Sequence, residues 1–205
     1  MADHSLDEPD NAGLVIDWDR AALLGDDRAE IPAPHGSLQK DLILLDRDGT
    51  LNRLRPGYVS DPATLDVLPG AAESVRRLND LGARVVLVTN QRGVARGRLT
   101  NDQLVAVHRR LLLELSRAGA HLDGIHVCPH EEGECDCRKP RPGLVHRVLS
   151  RASWATKDRS ILVGDSDSDH GAAYNAGSDL VRIDDSEIGL VEKIEKVLAL
   201  CNHYT

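Results

Sequence analysis

Asp46 and Asp48 close the stretch LILLDRDGT, Leu42 to Thr50, directly after four apolar residues. Side chains alternate along an extended chain, so two carboxylates one residue apart project to the same side. Like charges this close repel unless a cation lies between them or one keeps its proton. The bland reading is an acidic strand end with Asp48-Gly49 as turn residues. Three later stretches bear on the choice: Val88-Thr89-Asn90-Gln91, Arg138-Lys139-Pro140, and Gly164-Asp165-Ser166-Asp167-Ser168-Asp169. Asp46, Asp48 and Asp165 together offer hard oxygen donors that suit magnesium, which shares its coordination with substrate phosphate. Thr89 and Asn90 can donate to phosphoryl oxygens, and Lys139 adds a positive charge. Those are the parts of phosphoryl transfer: a metal, donors around the equatorial oxygens, and an in-line nucleophile. A carboxylate that attacks phosphorus passes through an aspartyl-phosphate. The competing structural readings are a strand-end threonine for Thr89, a solvated lysine for Lys139, and a helix cap for Asp167. Asp169 is read as support for the metal site from behind its ligands.

A second cluster has a different donor type. Cys128-Pro129-His130 and Cys135-Asp136-Cys137 supply three thiols and an imidazole within ten residues. Zinc takes such a set tetrahedrally, and a closed Cys₃His site is structural. A disulfide between Cys135 and Cys137 would be strained, and no export signal opens the chain, so zinc is expected at Cys128, His130, Cys135 and Cys137. Cys201 has no evident partner and reads as inert.

The elements that must position these groups alternate. Buried strands are expected at 42–45, 84–88, 125–128, 160–164 and 179–183, from short apolar runs bounded by turn residues. Between them, helical periodicity runs through 70–81, from Leu104 to Ala118, from Leu144 to Ala152, through the alanines 172–176, and from Leu190 to Leu198. Thr100-Asn101-Asp102-Gln103 fits a capping box. Residues 52–69 read as an irregular loop. This order predicts an α/β fold with a central parallel sheet in a three-layer Rossmann-like core, its chemistry at the carboxyl ends of the strands.

The 205 residues suffice for one domain, expected over 41–205, with an acidic, mobile extension over 1–40. That extension holds 9 acids and 3 bases, so most of the net charge of −8 sits there. Its stretch Leu14 to Trp18 is expected to dock as a short strand or turn. The chain has no Phe, so aliphatic side chains must fill the core. An acidic chain is a poor general partner for nucleic acid, and no apolar run approaches the ~20 residues of a membrane span. A cytoplasmic monomer is expected, with a small phosphorylated molecule as its partner.

In order and wording, DRDGT, VTNQ, CRKP and GDSDSD resemble the haloacid dehalogenase (HAD) superfamily of phosphatases. The resemblance implies Asp46 as nucleophile and Asp48 as general acid, then base. It implies Thr89 and Lys139 as holders of the phosphoryl group, and a magnesium ion on Asp46, Asp165 and the backbone carbonyl of Asp48. The cysteine loop followed by CRKP is similar to the heptose-1,7-bisphosphate and histidinol-phosphate phosphatases, which carry a zinc-stabilised loop instead of a large cap domain. By that likeness Arg138 meets substrate beside the phosphate, with Arg55, Gly57, Tyr58, Asn90 and Gln91 as further substrate contacts. TNQ-x-GVARG at 89–97, GYV at 57–59 and LDGIHVCPH favour the heptose group. Ser166 stands where the heptose enzymes usually have a lysine, and the short interval from His130 to Cys135 is closer to the histidinol type. The reading from another class is a non-catalytic phosphosugar- or partner-binding module. Intact Asp46, Asp48, Thr89, Lys139 and Asp165 argue against it.

Overall fold

A computed structural model describes residues 18–26, 29–35 and 38–202. Strands β1 (Leu42–Leu45), β2 (Arg84–Asn90), β3 (Gly124–Cys128), β4 (Ser160–Gly164) and β5 (Asp179–Arg182) form one parallel sheet in the order β3-β2-β1-β4-β5. Every residue of β1, β3 and β4 is buried, as expected of strands covered on both faces. β1 lies at the centre, with Leu45 in register with Leu87 of β2 and Val163 of β4. The chain steps from β1 to β2 and β3 on one side, then returns to β4 and β5 on the other. The strand order therefore reverses between β1 and β4, where open α/β sheets bind their ligands.

The helices are α1 (Arg20–Leu23), α2 (Ala71–Asp80), α3 (Asn101–Arg117), α4 (Gly143–Arg151), α5 (Asp167–Ala176) and α6 (Leu190–Asn202). Alternation along the strands sorts them into two layers. Ile43, Leu45, Val85, Leu87, Ile161 and Val163 pack with residues of α2, α3 and α6. Leu42, Leu44, Val86, Val88 and Leu162 pack with α4 and the small residues Ala172, Ala173 and Ala176 of α5. The expected three-layer core with no large cap is what forms, and its buried apolar residues are aliphatic or cysteine.

The helix starts hold one confirmation and one correction. Thr100 and Gln103 make the expected capping box on α3. At α5 the cap is Ser166 with Asp169, not Asp167. Ser166 has the extended backbone a cap requires (φ −102°, ψ 157°), whereas Asp167 is already helical and pairs instead with Arg182 at 2.8 Å.

The extension expected over 1–40 is seated on the domain where it is described. Leu23 and Ile31 are buried, one in each core layer. The Ile31 N–H donates to the Arg151 carbonyl at 2.7 Å, and the Trp154 indole donates to the Ile31 carbonyl at 2.9 Å. Apart from Trp18, which packs against the core, the Leu14–Trp18 stretch lies outside the described residues. Among the described residues no helix is long and apolar enough to cross a membrane.

Candidate active site

A cavity of about 260 Å³ opens at the carboxyl rim of β1, β2 and β4. Asp46, Asp48, Thr89, Asn90, Gln91, Lys139 and Asp165 all line it, so the four separated motifs meet at one place. Arg55, Gly57 and Tyr58 from the loop after β1 form its outer wall. Arg138 is not among the walls; it is half-buried, and its Nη1 has no hydrogen-bond partner among the described residues.

Lys139 organises the floor. Its Nζ, almost fully buried, donates to Asp46 Oδ1 at 2.7 Å, Asp169 Oδ1 at 2.5 Å and the Val88 carbonyl at 2.9 Å. Burial alone would lower its pKa, but the two carboxylates overcome that and hold the ammonium charged. Asp169 is thereby spoken for: one oxygen holds Lys139 and the other accepts from the Ser166 N–H at 3.2 Å. Asn90 fixes Lys139 from the backbone side. Its amide donates to the Lys139 carbonyl at 3.0 Å and accepts from the Lys139 N–H at 3.1 Å. Asn90 thus positions the lysine with one amide N–H and its carbonyl oxygen, and keeps a second N–H with which to donate.

The two leading aspartates differ in surroundings. Asp46 is pushed up to about 7, by burial first and by the nearby Asp169 and Asp48, against the pull of Lys139. Asp48 is also subject to burial, yet Arg47, Asn52 and Gln91 together hold its carboxyl below the usual range. Asn52 donates to Asp48 Oδ1 at 2.9 Å. Gln91 donates to Asp48 Oδ2 at 3.2 Å and to Thr89 Oγ1 at 2.9 Å. With an acceptor lone pair filled by Gln91, the Thr89 hydroxyl is left to aim its own proton elsewhere. Arg47, Asn52 and His108 were missed as site residues in the sequence. The available signal was an arginine wedged between two aspartates, which implied a buried partner for one of them.

Asp46, Asp165 and Asp169 bring carboxylate oxygens within 4.8 Å of one another. Burial and the neighbouring Asp169 raise Asp165, and no cationic side chain is paired with it among the described residues. A converging set of carboxylates with too little positive charge fits a divalent cation. Because Asp169 is engaged with Lys139 and Ser166, Asp46 and Asp165 are the carboxylates left to hold it. Gly49 makes the approach possible: at φ +81° it has the left-handed backbone glycine favours, and a Cβ there would lie 2.2 Å from Asp165 Oδ2.

Cys128, His130, Cys135 and Cys137 also converge within 4.8 Å. Sulfur separations are 3.6 Å (Cys128–Cys135) and 3.2 Å (Cys135–Cys137), and His130 Nδ1 is 3.8 Å from Cys128 and 3.3 Å from Cys137. Thiolates about 2.3 Å from a tetrahedral zinc lie about 3.8 Å apart, so the donor set matches in type and size. The Cys128 thiol is drawn down to about 5, first by the hydrogen bond from Cys137, as befits a metal ligand. Glu131 ties this loop to the segment after β2 through Arg92 at 3.4 Å and Arg96 at 2.5 Å.

Comparison with known proteins agrees with this geometry. A family model described as HAD-hydrolase-like matches residues 136–186. A D-glycero-alpha-D-manno-heptose-1,7-bisphosphate 7-phosphatase of Mycobacterium tuberculosis is 41% identical over 138 residues, 66% of this chain and 73% of its own. A D-glycero-beta-D-manno-heptose-1,7-bisphosphate 7-phosphatase of Rhodopseudomonas palustris is 39% identical over 157 residues, 73% of this chain and 86% of its own. The crystal structure of a D,D-heptose 1,7-bisphosphate phosphatase from B. bronchiseptica, complexed with magnesium and phosphate, superposes with a TM-score of 0.66 at 30% identity, covering 78% of this chain and 98% of that one. The chain belongs to the family of HAD-like phosphatases, hydrolases of phosphoric monoesters.

Proposed function

We propose that this enzyme is a magnesium-dependent phosphatase that removes the C7 phosphate of a heptose 1,7-bisphosphate, carrying the phosphoryl group on Asp46. The observation that carries the reading is the Asp46 carboxylate, tethered through Oδ1 by Lys139 at the floor of a cavity whose wall includes Asp48. Both relatives above are named for this substrate.

An Asp46 oxygen attacks phosphorus as the bond to the C7 oxygen breaks. Asp48, which must enter the step carrying a proton against the pull of Arg47, delivers it to that oxygen, and the heptose 1-phosphate leaves. Asp48 then takes a proton from water, which attacks phosphorus, frees Asp46 and releases inorganic phosphate. Thr89 donates to the transferring group, and Lys139 neutralises charge beside Asp46. Magnesium held by Asp46, Asp165 and the Asp48 backbone carbonyl would supply Lewis-acid stabilisation of the phosphoryl oxygens. Zinc on Cys128, His130, Cys135 and Cys137 would hold the loop that leads into Lys139. Arg55, Gly57, Tyr58 and Gln91, which line the cavity, are proposed to shape the sugar site. Free cysteines throughout suit a reducing, cytoplasmic setting. A monomer is proposed, to be checked by sedimentation.

Steady-state kinetics on α- and β-heptose 1,7-bisphosphate and on histidinol phosphate tests the assignment. The heptose substrate should give the highest kcat/KM, with loss of activity in Asp46→Asn. The short interval from His130 to Cys135 favours histidinol phosphate as the second reading. Equal or better turnover of that substrate would overturn the heptose assignment.

A further inference from the structure

Arg47 is 1% exposed and lies between the two leading aspartates. Its Nη2 donates to Asp48 Oδ1 at 3.0 Å and Oδ2 at 2.9 Å, and its Nε reaches Oδ1 at 3.3 Å. The remaining Nη1 is 3.4 Å from His108 Nε2, and His108 Nδ1 is 2.7 Å from the carbonyl oxygen of Leu23. A guanidinium only donates and a carbonyl only accepts. The ring must therefore accept at Nε2 and donate from Nδ1, which makes it neutral and fixes its tautomer. His108 is fully buried on the inward stripe of α3 beside Leu104 and Leu111. A polar ring there is costly unless both nitrogens are bonded, and here both are.

We propose that Arg47 and His108 are positioning residues for Asp48, forming with the Leu23 carbonyl a buried train that holds the proton donor in line with the leaving oxygen of the substrate. The N-terminal segment thereby becomes part of the catalytic support, since Leu23 closes the train from α1. This rests on Asp48 acting as general acid. Asn52 and Gln91 each reach Asp48 with one donor, whereas Arg47 meets both of its oxygens. Among the described residues the planar fork is the one group that holds both oxygens by itself, and a lysine, as a point charge, would not.

Leaving-group dependence tests the idea. An alkyl alcohol needs a proton as it departs, and p-nitrophenolate does not. The readout is the ratio of kcat on the sugar phosphate to kcat on p-nitrophenyl phosphate. It should fall about 10–100-fold in His108→Leu and Arg47→Lys, within the span general acids contribute. It should recover in His108→Gln, which keeps one donor and one acceptor. A ratio within about twofold of wild type in folded His108→Leu and Arg47→Lys would overturn the proposal, because a merely structural role slows both substrates alike. Nitrogen-15 NMR of the wild-type His108 ring decides even if those variants do not fold. A neutral ring protonated at Nδ1 is required, and an Nε2-protonated or charged ring at neutral pH would overturn the proposal. Wild type inert toward every phosphate ester would sink the proposed function and this role with it, whereas an unchanged ratio in active enzyme would overturn the positioning role alone.

Discussion

Lys139→Met would leave Asp46 and Asp169 facing one another without the ammonium that now bridges them at 2.7 and 2.5 Å. Removing one partner of a buried ion pair costs about 3–5 kcal/mol, because the remaining charge stays buried and uncompensated. The Val88 carbonyl also loses its donor, roughly a further 1 kcal/mol. At about 2–4 °C per kcal/mol for a domain this size, the combined loss of about 4–6 kcal/mol should lower melting by roughly 8–24 °C. The deficit should depend on pH. A carboxyl whose folded pKa is raised destabilises the fold above that pKa, and the penalty fades as the group takes a proton. Asp46 already stands near 7, and losing Lys139 removes a cause that lowers it. The deficit should therefore be larger at pH 8 than at pH 6. Adding Asp169→Asn removes one of the two opposed charges and should recover part of the loss. Thermal and urea unfolding of zinc-loaded, magnesium-free protein read all three numbers. A loss under about 1 kcal/mol, or additive deficits in the double variant, would refute the reasoning.

Three further outcomes are expected. Gly49→Ala puts a Cβ against the Asp165 carboxylate at a positive φ, so the magnesium needed for half-maximal activity should rise at least about tenfold, and an unchanged metal titration would contradict this. Elemental analysis should find one zinc per chain, and selective removal should raise KM before the sheet melts, since the loop leads into Lys139 while the core layer of α2, α3 and α6 contains none of the four ligands; simultaneous loss of both would contradict it. His108, held at about 3 chiefly by burial and then by Arg47, stays neutral in the fold but takes a proton near 6.5 when unfolded. The unfolded state then binds more protons, so stability should fall as pH drops from 6.5 toward 3 by about 1.4 kcal/mol per unit. His108→Gln should flatten that slope in urea midpoints, and equal slopes would count against it.

Much of this protein was legible in one dimension because its signals are local. The five apolar runs, the Thr100 capping box and the four motifs each depend on residues within a few positions of one another. The cysteine cluster could also be read directly, since its donors fall within ten residues. What spacing cannot give is which polar atoms satisfy one another across the sheet rim. Asn90 reads as a phosphate donor, and that its amide also brackets the Lys139 peptide is decided only when β2 and the loop after β3 come together. Asp169 reads as support behind the metal ligands, but that it holds Lys139, 30 residues away, is decided only in the fold. Arg47 and His108 are 61 residues apart and Leu23 is 85 from His108, so the train behind Asp48 exists only once α1 and α3 pack together. Periodicity marks position 108 as buried. Whether a histidine placed there is a defect or a support depends on what meets its two nitrogens, and only the tertiary structure decides that.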